Sequence, residues 1–235
     1  MRARFGLFLA VFCAPLALAC GGDEEKQTGP VTPEGYCGKT TAALIAAAGE
    51  PTEPIEPAAE EPVEGSACNA VVRTYPPPTD AVHVPVCSDV SYGTNPPVGG
   101  RHYPLFPQFR VYDYAVPRGF YVHALEHGGV VITYSCAHCA DQVASARQLV
   151  EKLAIDPLCC SGGSCGDASN RTMLTPDPGI PTAWAASAWG TALTADCFEP
   201  EVFQAFADRY RGAGPEQICE NTFAIDPSRA PASSN

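Results

Sequence analysis

Long apolar runs are almost absent from this chain of 235 residues. The one exception, Phe5 to Leu18, is too short to cross a bilayer as a stable helix. No later stretch approaches the roughly 18 apolar residues that a transmembrane helix needs, so no helix after it is expected to cross a membrane. Basic residues are scarce as well: 14 Lys and Arg stand against 26 Asp and Glu, a net charge of −12, and they gather nowhere into a patch. No nucleic-acid partner is expected, because neutralising phosphates takes clustered cations. No internal repeat is found. Methionine is limited to Met1 and Met173, and histidine to His83, His102, His123, His127 and His138.

What the N-terminus does have is a leader. Arg2 and Arg4 precede the apolar run, and "ALAC" closes it, which reads as a secretory signal over residues 1–19 with Cys20 left as the first mature residue. The pattern looks like a bacterial lipoprotein signal, although Ala17 stands where Leu is usual. Cys20 is expected to be acylated, so that the membrane is a partner through a lipid anchor. Gly21 is not the Asp that favours inner-membrane retention. The expected location is therefore the outer membrane or cell surface, facing the periplasm or exterior. Without Cys13 and Cys20, ten cysteines remain. An even number in an exported chain argues for disulfides, up to five of them, with connectivity left open.

Residues 20–66 read as an acidic linker behind the anchor. The segment 49–65, "GEPTEPIEPAAEEPVEG", holds six Glu and four Pro in seventeen residues and buries too little apolar surface to offset its ordering entropy. A short helix at 38–49 is the only element expected before it. The globular domain is expected over 67–226, and 227–235 as a disordered tail. Strands are predicted at 70–75, 81–86, 129–135, 172–175 and 186–194 from β-branched and aromatic content between turn signals. Helices are predicted at 140–154 and 199–212 from apolar stripes at helical spacing. The fold class is α+β: a single small disulfide-stapled domain with a β-sheet core and two main helices. Trp184 and Trp189 are expected in the core, with a strand bend at Gly190.

Two motifs carry chemistry. In "HALEHGG" (123–129), His123 and His127 stand four apart, a spacing that puts both imidazoles on one face of a helical turn. The same letters match H-x-x-E-H, the inverted zinc-peptidase motif. Gly128 and Gly129 stop a helix at once, however, and the long active-site helix of such peptidases is missing. A zinc-dependent hydrolase is therefore an alternative reading only. In "CAHC", Cys136 and Cys139 lie between a strand and an amphipathic helix, the setting of a thiol–disulfide oxidoreductase. Eight further cysteines make a structural disulfide the first expectation for that pair. His138 is expected to be an ordinary surface or core residue.

The stretches "SYGTNPPVGGRHYP" (91–104), "YVHALEHGGVVITY" (121–134), "LTPDPGIPTAWAASAWGTALT" (174–194) and "FADRYRGAGPE" (206–216) span 126 residues. In this order they resemble a bacterial domain-of-unknown-function family whose members carry N-P-P-x-x-G-x-H, V-H-x-L-E-H-G and a late A-W-G. His83 falls where that pattern has an upstream histidine, whereas the "CAHC" and "CCSGGSC" cysteines depart from it. The resemblance implies a fold neighbourhood and no activity.

These observations converge on a mononuclear metal site built from His102, His123 and His127, with His83 as a fourth ligand and Glu126 placed behind, orienting an imidazole or nearby backbone. Copper is the expected ion, because imidazole suits it, the divalent affinity order favours it, and Met173 offers a thioether; zinc is the alternative. No catalytic residue is assigned. Metal handling or electron transfer by a binding protein is expected rather than enzymatic turnover, with a metal-free disulfide-stapled surface module as the bland alternative.

Overall fold

The computed structural model describes residues 53–161, 164–165, 170–216, 218 and 224–225. The signal, Cys20, the 38–49 segment, the first part of the acidic linker and the tail lie outside the described residues.

The sheet is organised around its most apolar strand. "VVITY" lacks the alternation of a half-exposed strand, which predicts burial on both faces, and Val130–Tyr134 (β4) indeed sits inside a six-stranded sheet. Thr172–Pro176 (β7) pairs with it in parallel on one side, and Trp184–Ala188 (β8) pairs antiparallel on the other. Beyond β8 come Thr191–Ala195 (β9), Val71–Thr74 (β2) and the edge strand Ala59–Pro62 (β1), all antiparallel, giving the order β1-β2-β9-β8-β4-β7. Phe106–Pro107 (β3) pairs with Ala224–Ile225 (β10), and Cys160–Ser161 (β5) with Ser164–Cys165 (β6). Three helices are described: Arg118–Glu126 (α1), Ala140–Lys152 (α2) and Pro200–Tyr210 (α3). The α+β class with a sheet core is what the structure has.

Alternation along the strands sends side chains to two separate cores. Val130, Ile132, Leu174, Trp184 and Leu193 join Leu149, Val150, Phe203 and Phe206 of α2 and α3 on one face. On the other, Val131 and Met173 meet Phe120, Leu125 and an aromatic layer of Tyr103, Phe106, Phe109 and Tyr112. Met173 is fully buried there. The Cys68–Cys197 disulfide closes 129 residues and joins the approach to β2 to the exit from β9.

Four expectations are corrected. The 186–194 strand is a hairpin: Ala188 pairs with Thr191 across Trp189 and Gly190, and Gly190 at φ 72° supplies the left-handed turn that an L side chain resists. The 81–86 segment is not a strand, since it makes only a single parallel bridge, His83 with His102, and Pro85 removes a donor. Sheet pairing begins at Ala59, inside the stretch read as linker, because Ala59–Pro62 needs only the backbone of β2 to pair. The helical turn expected at His123–His127 is the end of a full third helix, α1. It follows Pro117, has no side-chain cap, and buries every residue from Arg118 to Leu125, so it shows no polar face from which a period can be read.

The start of α1 is fixed by a buried ion pair. Arg118 donates from Nε to Asp177 Oδ2 at 2.8 Å and from Nη2 to Asp177 Oδ1 at 3.1 Å, and both side chains are almost fully buried. Tyr121 Oη donates to Asp177 Oδ2 at 3.0 Å and Gly179 N donates to Oδ1 at 2.9 Å. Arg118 Nη2 also donates to Asn95 Oδ1 at 3.0 Å, and Asn95 Nδ2 to the Gly179 carbonyl at 2.8 Å. The Asn of "NPPVGGRH" is thus an anchor. It ties the loop that carries His102 to the helix that carries His123.

Candidate metal centre

Each imidazole is held by its backbone side. His102 gives its Nδ1–H to the Gly100 carbonyl at 2.8 Å, and His123 gives its Nδ1–H to the Tyr103 carbonyl at 2.6 Å. His127 Nδ1 lies 3.2 Å from the Ile218 carbonyl. A carbonyl only accepts, so Nδ1 must be the protonated nitrogen, and in the neutral ring Nε2 is left as a lone pair. Those lone pairs converge on other acceptors: His102 Nε2 is 2.9 Å from Glu126 Oε2, and His123 Nε2 is 2.9 Å from His127 Nε2. Acceptors facing each other at that distance repel unless a proton or a cation stands between them.

The elements around the site bring these groups together for local reasons. His83 reaches it through the one bridge to His102, where Val84 N donates to the His102 carbonyl at 2.8 Å and His102 N to the Val82 carbonyl at 3.2 Å. Gly99 at φ 152° and Gly100 at φ 114° allow the backbone turn that aims the Gly100 carbonyl at His102. His123 and Glu126 are three apart on α1 and share its face. His127 caps that helix, and Gly128 at φ 76° reverses the chain into β4. Arg171, fully buried, donates from Nη1 to the His127 carbonyl at 2.7 Å and so fixes the turn from behind.

The result is a cluster in which one ligand atom each from His83, His102, His123 and Glu126 lies within 4.8 Å of the others. A first-row ion with bonds of about 2.0–2.2 Å holds ligand atoms no more than about 4.0–4.4 Å apart, so a small contraction closes the set. This group of residues could hold a metal ion. Glu126 supplies one of the four grouped ligand atoms, because His102 and His83 arrive from loops beside α1 and meet it there. His127 falls in a second group, with Glu126 and Glu216, and touches the first through His123. Sequence reasoning missed Glu216; the signal for it was "GAGPE". Trp189 is half-buried and lies edge-on to His102 with centroids 6.3 Å apart, so it flanks the site, whereas Trp184 is core as expected. Phe106 covers His123 and His127 at 5.4 and 4.9 Å. His138 is exposed and remote from the cluster in the fold, beyond the far end of β4.

Electrostatics keep the ligands ready. Burial, reinforced by the neighbouring imidazoles and only partly offset by the bond to the Tyr103 carbonyl, pushes His123 down to about 4. Burial acts against the Glu126 charge, but the His102 ring beside it and the potential of His102, His123 and His83 outweigh it and hold the carboxyl below its ordinary value. Near neutral pH the site therefore presents a neutral His123 and an ionised carboxylate.

The "GAG" segment completes the wall. Gly212 N donates to the Gly128 carbonyl at 2.8 Å and Glu216 N to the Glu126 carbonyl at 3.1 Å, which brings Glu216 Oε2 within 3.5 Å of His127 Nε2. A Cβ on Gly214 would stand 2.3 Å from both the Glu126 carbonyl oxygen and the Gly128 nitrogen, backbone atoms that cannot swing aside. Gly214→Ala is accordingly expected to cost about 2 kcal/mol and to release Glu216 from His127. Urea unfolding measures the cost, and an unchanged midpoint would show that the segment does not dock as described.

Among the described residues no helix is long and apolar enough to cross a membrane. No curated protein and no solved structure matches the chain. The family model described as a protein of unknown function, DUF3105, matches residues 83–222, a span that begins on His83 and encloses every residue of the cluster. With more than half its length covered by that match, the chain belongs to the DUF3105 family.

Proposed function

We propose that this protein binds a single first-row transition ion between His83, His102, His123 and Glu126, with His127 supporting from the flank, and that it does so as an exported lipoprotein anchored through Cys20 at the outer membrane or cell surface. One observation carries the metal reading: three imidazoles spend their Nδ1–H on backbone carbonyls, and each then faces another acceptor 2.9 Å away with a bare Nε2. Histidine ligands of metal sites are commonly oriented by such bonds on the opposite nitrogen. Copper is the proposed ion. Imidazoles with one carboxylate suit Cu(II) and Zn(II), and the divalent order places copper first. The carboxylate among the donors argues for Cu(II) over Cu(I). Metal handling or electron transfer is the proposed use.

The test is titration of the chelator-stripped chain with Cu(II), Cu(I) and Zn(II), together with His102→Ala and His123→Ala. About one ion per chain is expected, bound most tightly as Cu(II), and either substitution should weaken it at least about a hundredfold. Tight binding that survives both substitutions removes the site. Zinc retained against equimolar copper reverses the choice of ion. For the anchor, Cys20→Ala should move the protein from the membrane to the soluble fraction; retention at the wild-type level would refute lipidation there.

A further inference from the structure

The far end of β4 carries a second chemistry. Cys136 and Cys139 are disulfide-bonded immediately after that strand, and Cys139 is the N-cap of α2. From there α2 packs along β7, the parallel neighbour of β4, so that β4, α2 and β7 form a β-α-β crossover. The β8–β9 hairpin then adds to the other edge of β4, and α3 returns to the same face as α2. The order β9-β8-β4-β7 puts the C-x-x-C pair at the strand-to-helix turn of a central strand, the setting in which thioredoxin-like oxidoreductases hold their reactive pair.

A purely structural role fits this bond poorly. It spans three residues of sequence and so constrains the unfolded chain far less than Cys68–Cys197, which spans 129. Access is graded as exchange requires: Cys139 is buried, Cys136 is half-buried, and Ala137 and His138 between them are exposed, so that a partner reaches the Cys136 sulfur first. The first N–H groups of α2 have no intrahelical acceptor and favour a thiolate at this point. The five residues of β4, about 16 Å of strand, separate the pair from the histidine cluster, so the inference does not rest on the metal reading.

We propose that Cys136 and Cys139 form a redox-active pair that exchanges with disulfides and dithiols of partner proteins. In the reduced pair the Cys136 thiolate attacks one sulfur of a partner disulfide, forming a mixed disulfide and releasing the partner's other sulfur as a thiolate, which takes up a proton. The Cys139 thiolate then attacks the Cys136 sulfur, restores the intramolecular bond and expels the second partner thiolate. Two electrons and two protons pass to the partner, and the reverse sequence oxidises a partner dithiol. Regeneration of the reduced pair takes a dithiol reductant.

The experiment uses the full chain with chelator present, insulin as the disulfide and dithiothreitol as the dithiol. Insulin reduction should run at least tenfold faster than with dithiothreitol alone, and Cys136→Ser should return it to that background. Cys139→Ser, which keeps the attacking sulfur, should accumulate a mixed disulfide at Cys136, read as an added mass after reaction with a small aromatic disulfide. Far-ultraviolet dichroism of both variants establishes that they fold. No acceleration by the wild-type chain, acceleration that persists in Cys136→Ser, or a Cys136–Cys139 bond that dithiothreitol reduces no faster than Cys68–Cys197 would each overturn the proposal.

Discussion

Replacing Arg118 with alanine should cost about 3–5 kcal/mol of unfolding free energy, because it leaves the Asp177 carboxylate buried without its cation. The pair lies where water cannot take over: the two side chains are 1% and 3% exposed. Tyr121 Oη and Gly179 N would still donate to Asp177, but two neutral donors do not replace a bidentate guanidinium. Asn95 loses a donor in the same substitution, so the loop leading to His102 loosens with the start of α1. Arg118→Lys should fall between wild type and alanine, since it keeps the charge and loses the fork. Urea unfolding of the metal-stripped chain checks both variants. A cost below about 1 kcal/mol for Arg118→Ala would mean that the pair is not the anchor described.

The same residues show which parts of this fold a sequence reveals. Helices α2 and α3 were legible because each lies on the sheet with one face in water and carries a stripe at helical spacing. Strand β4 was legible because β-branched and aromatic residues fill the stretch between Gly129 and Cys136 and open on the apolar run Val130–Ile132. Helix α1 was legible only in its last turn, for the opposite reason: it is enclosed on all sides, and Gly119 within it is set by close packing, since a Cβ there would lie 2.6 Å from the Tyr103 ring. The histidine cluster was legible as a set, because four of the five histidines crowd one region of the chain. Its internal geometry was not. That His83 joins His102 through a single bridge, that Glu126 faces His102, and that "GAGPE" brings Glu216 to His127 all depend on contacts between segments far apart in sequence. Distant contacts also hid the C-x-x-C setting, since the parallel pairing of β4 with β7 is made across 40 residues.

The metal-stripped chain should lose about 3 kcal/mol of stability as pH falls from 6.5 to 4. His123 titrates near 4 when folded, against about 6.5 for a free imidazole. Above pH 6.5 it is neutral in both states and the linkage is silent. Between 6.5 and 4 the unfolded chain takes up a proton that the folded chain refuses, so unfolding becomes progressively easier, and below 4 the loss is complete. Glu126, held below its ordinary value, adds to the loss in the same direction at the acid end. His123→Asn keeps a donor for the Tyr103 carbonyl and removes the titrating ring, so its unfolding free energy should run flatter over this interval. Urea unfolding at half-unit steps of pH compares the two, and a wild-type profile no steeper than that of His123→Asn would contradict the assignment. The same depression bears on metal retention. Protons compete for His123 Nε2 only as pH approaches 4, so loss of an ion well above that pH would not begin at His123.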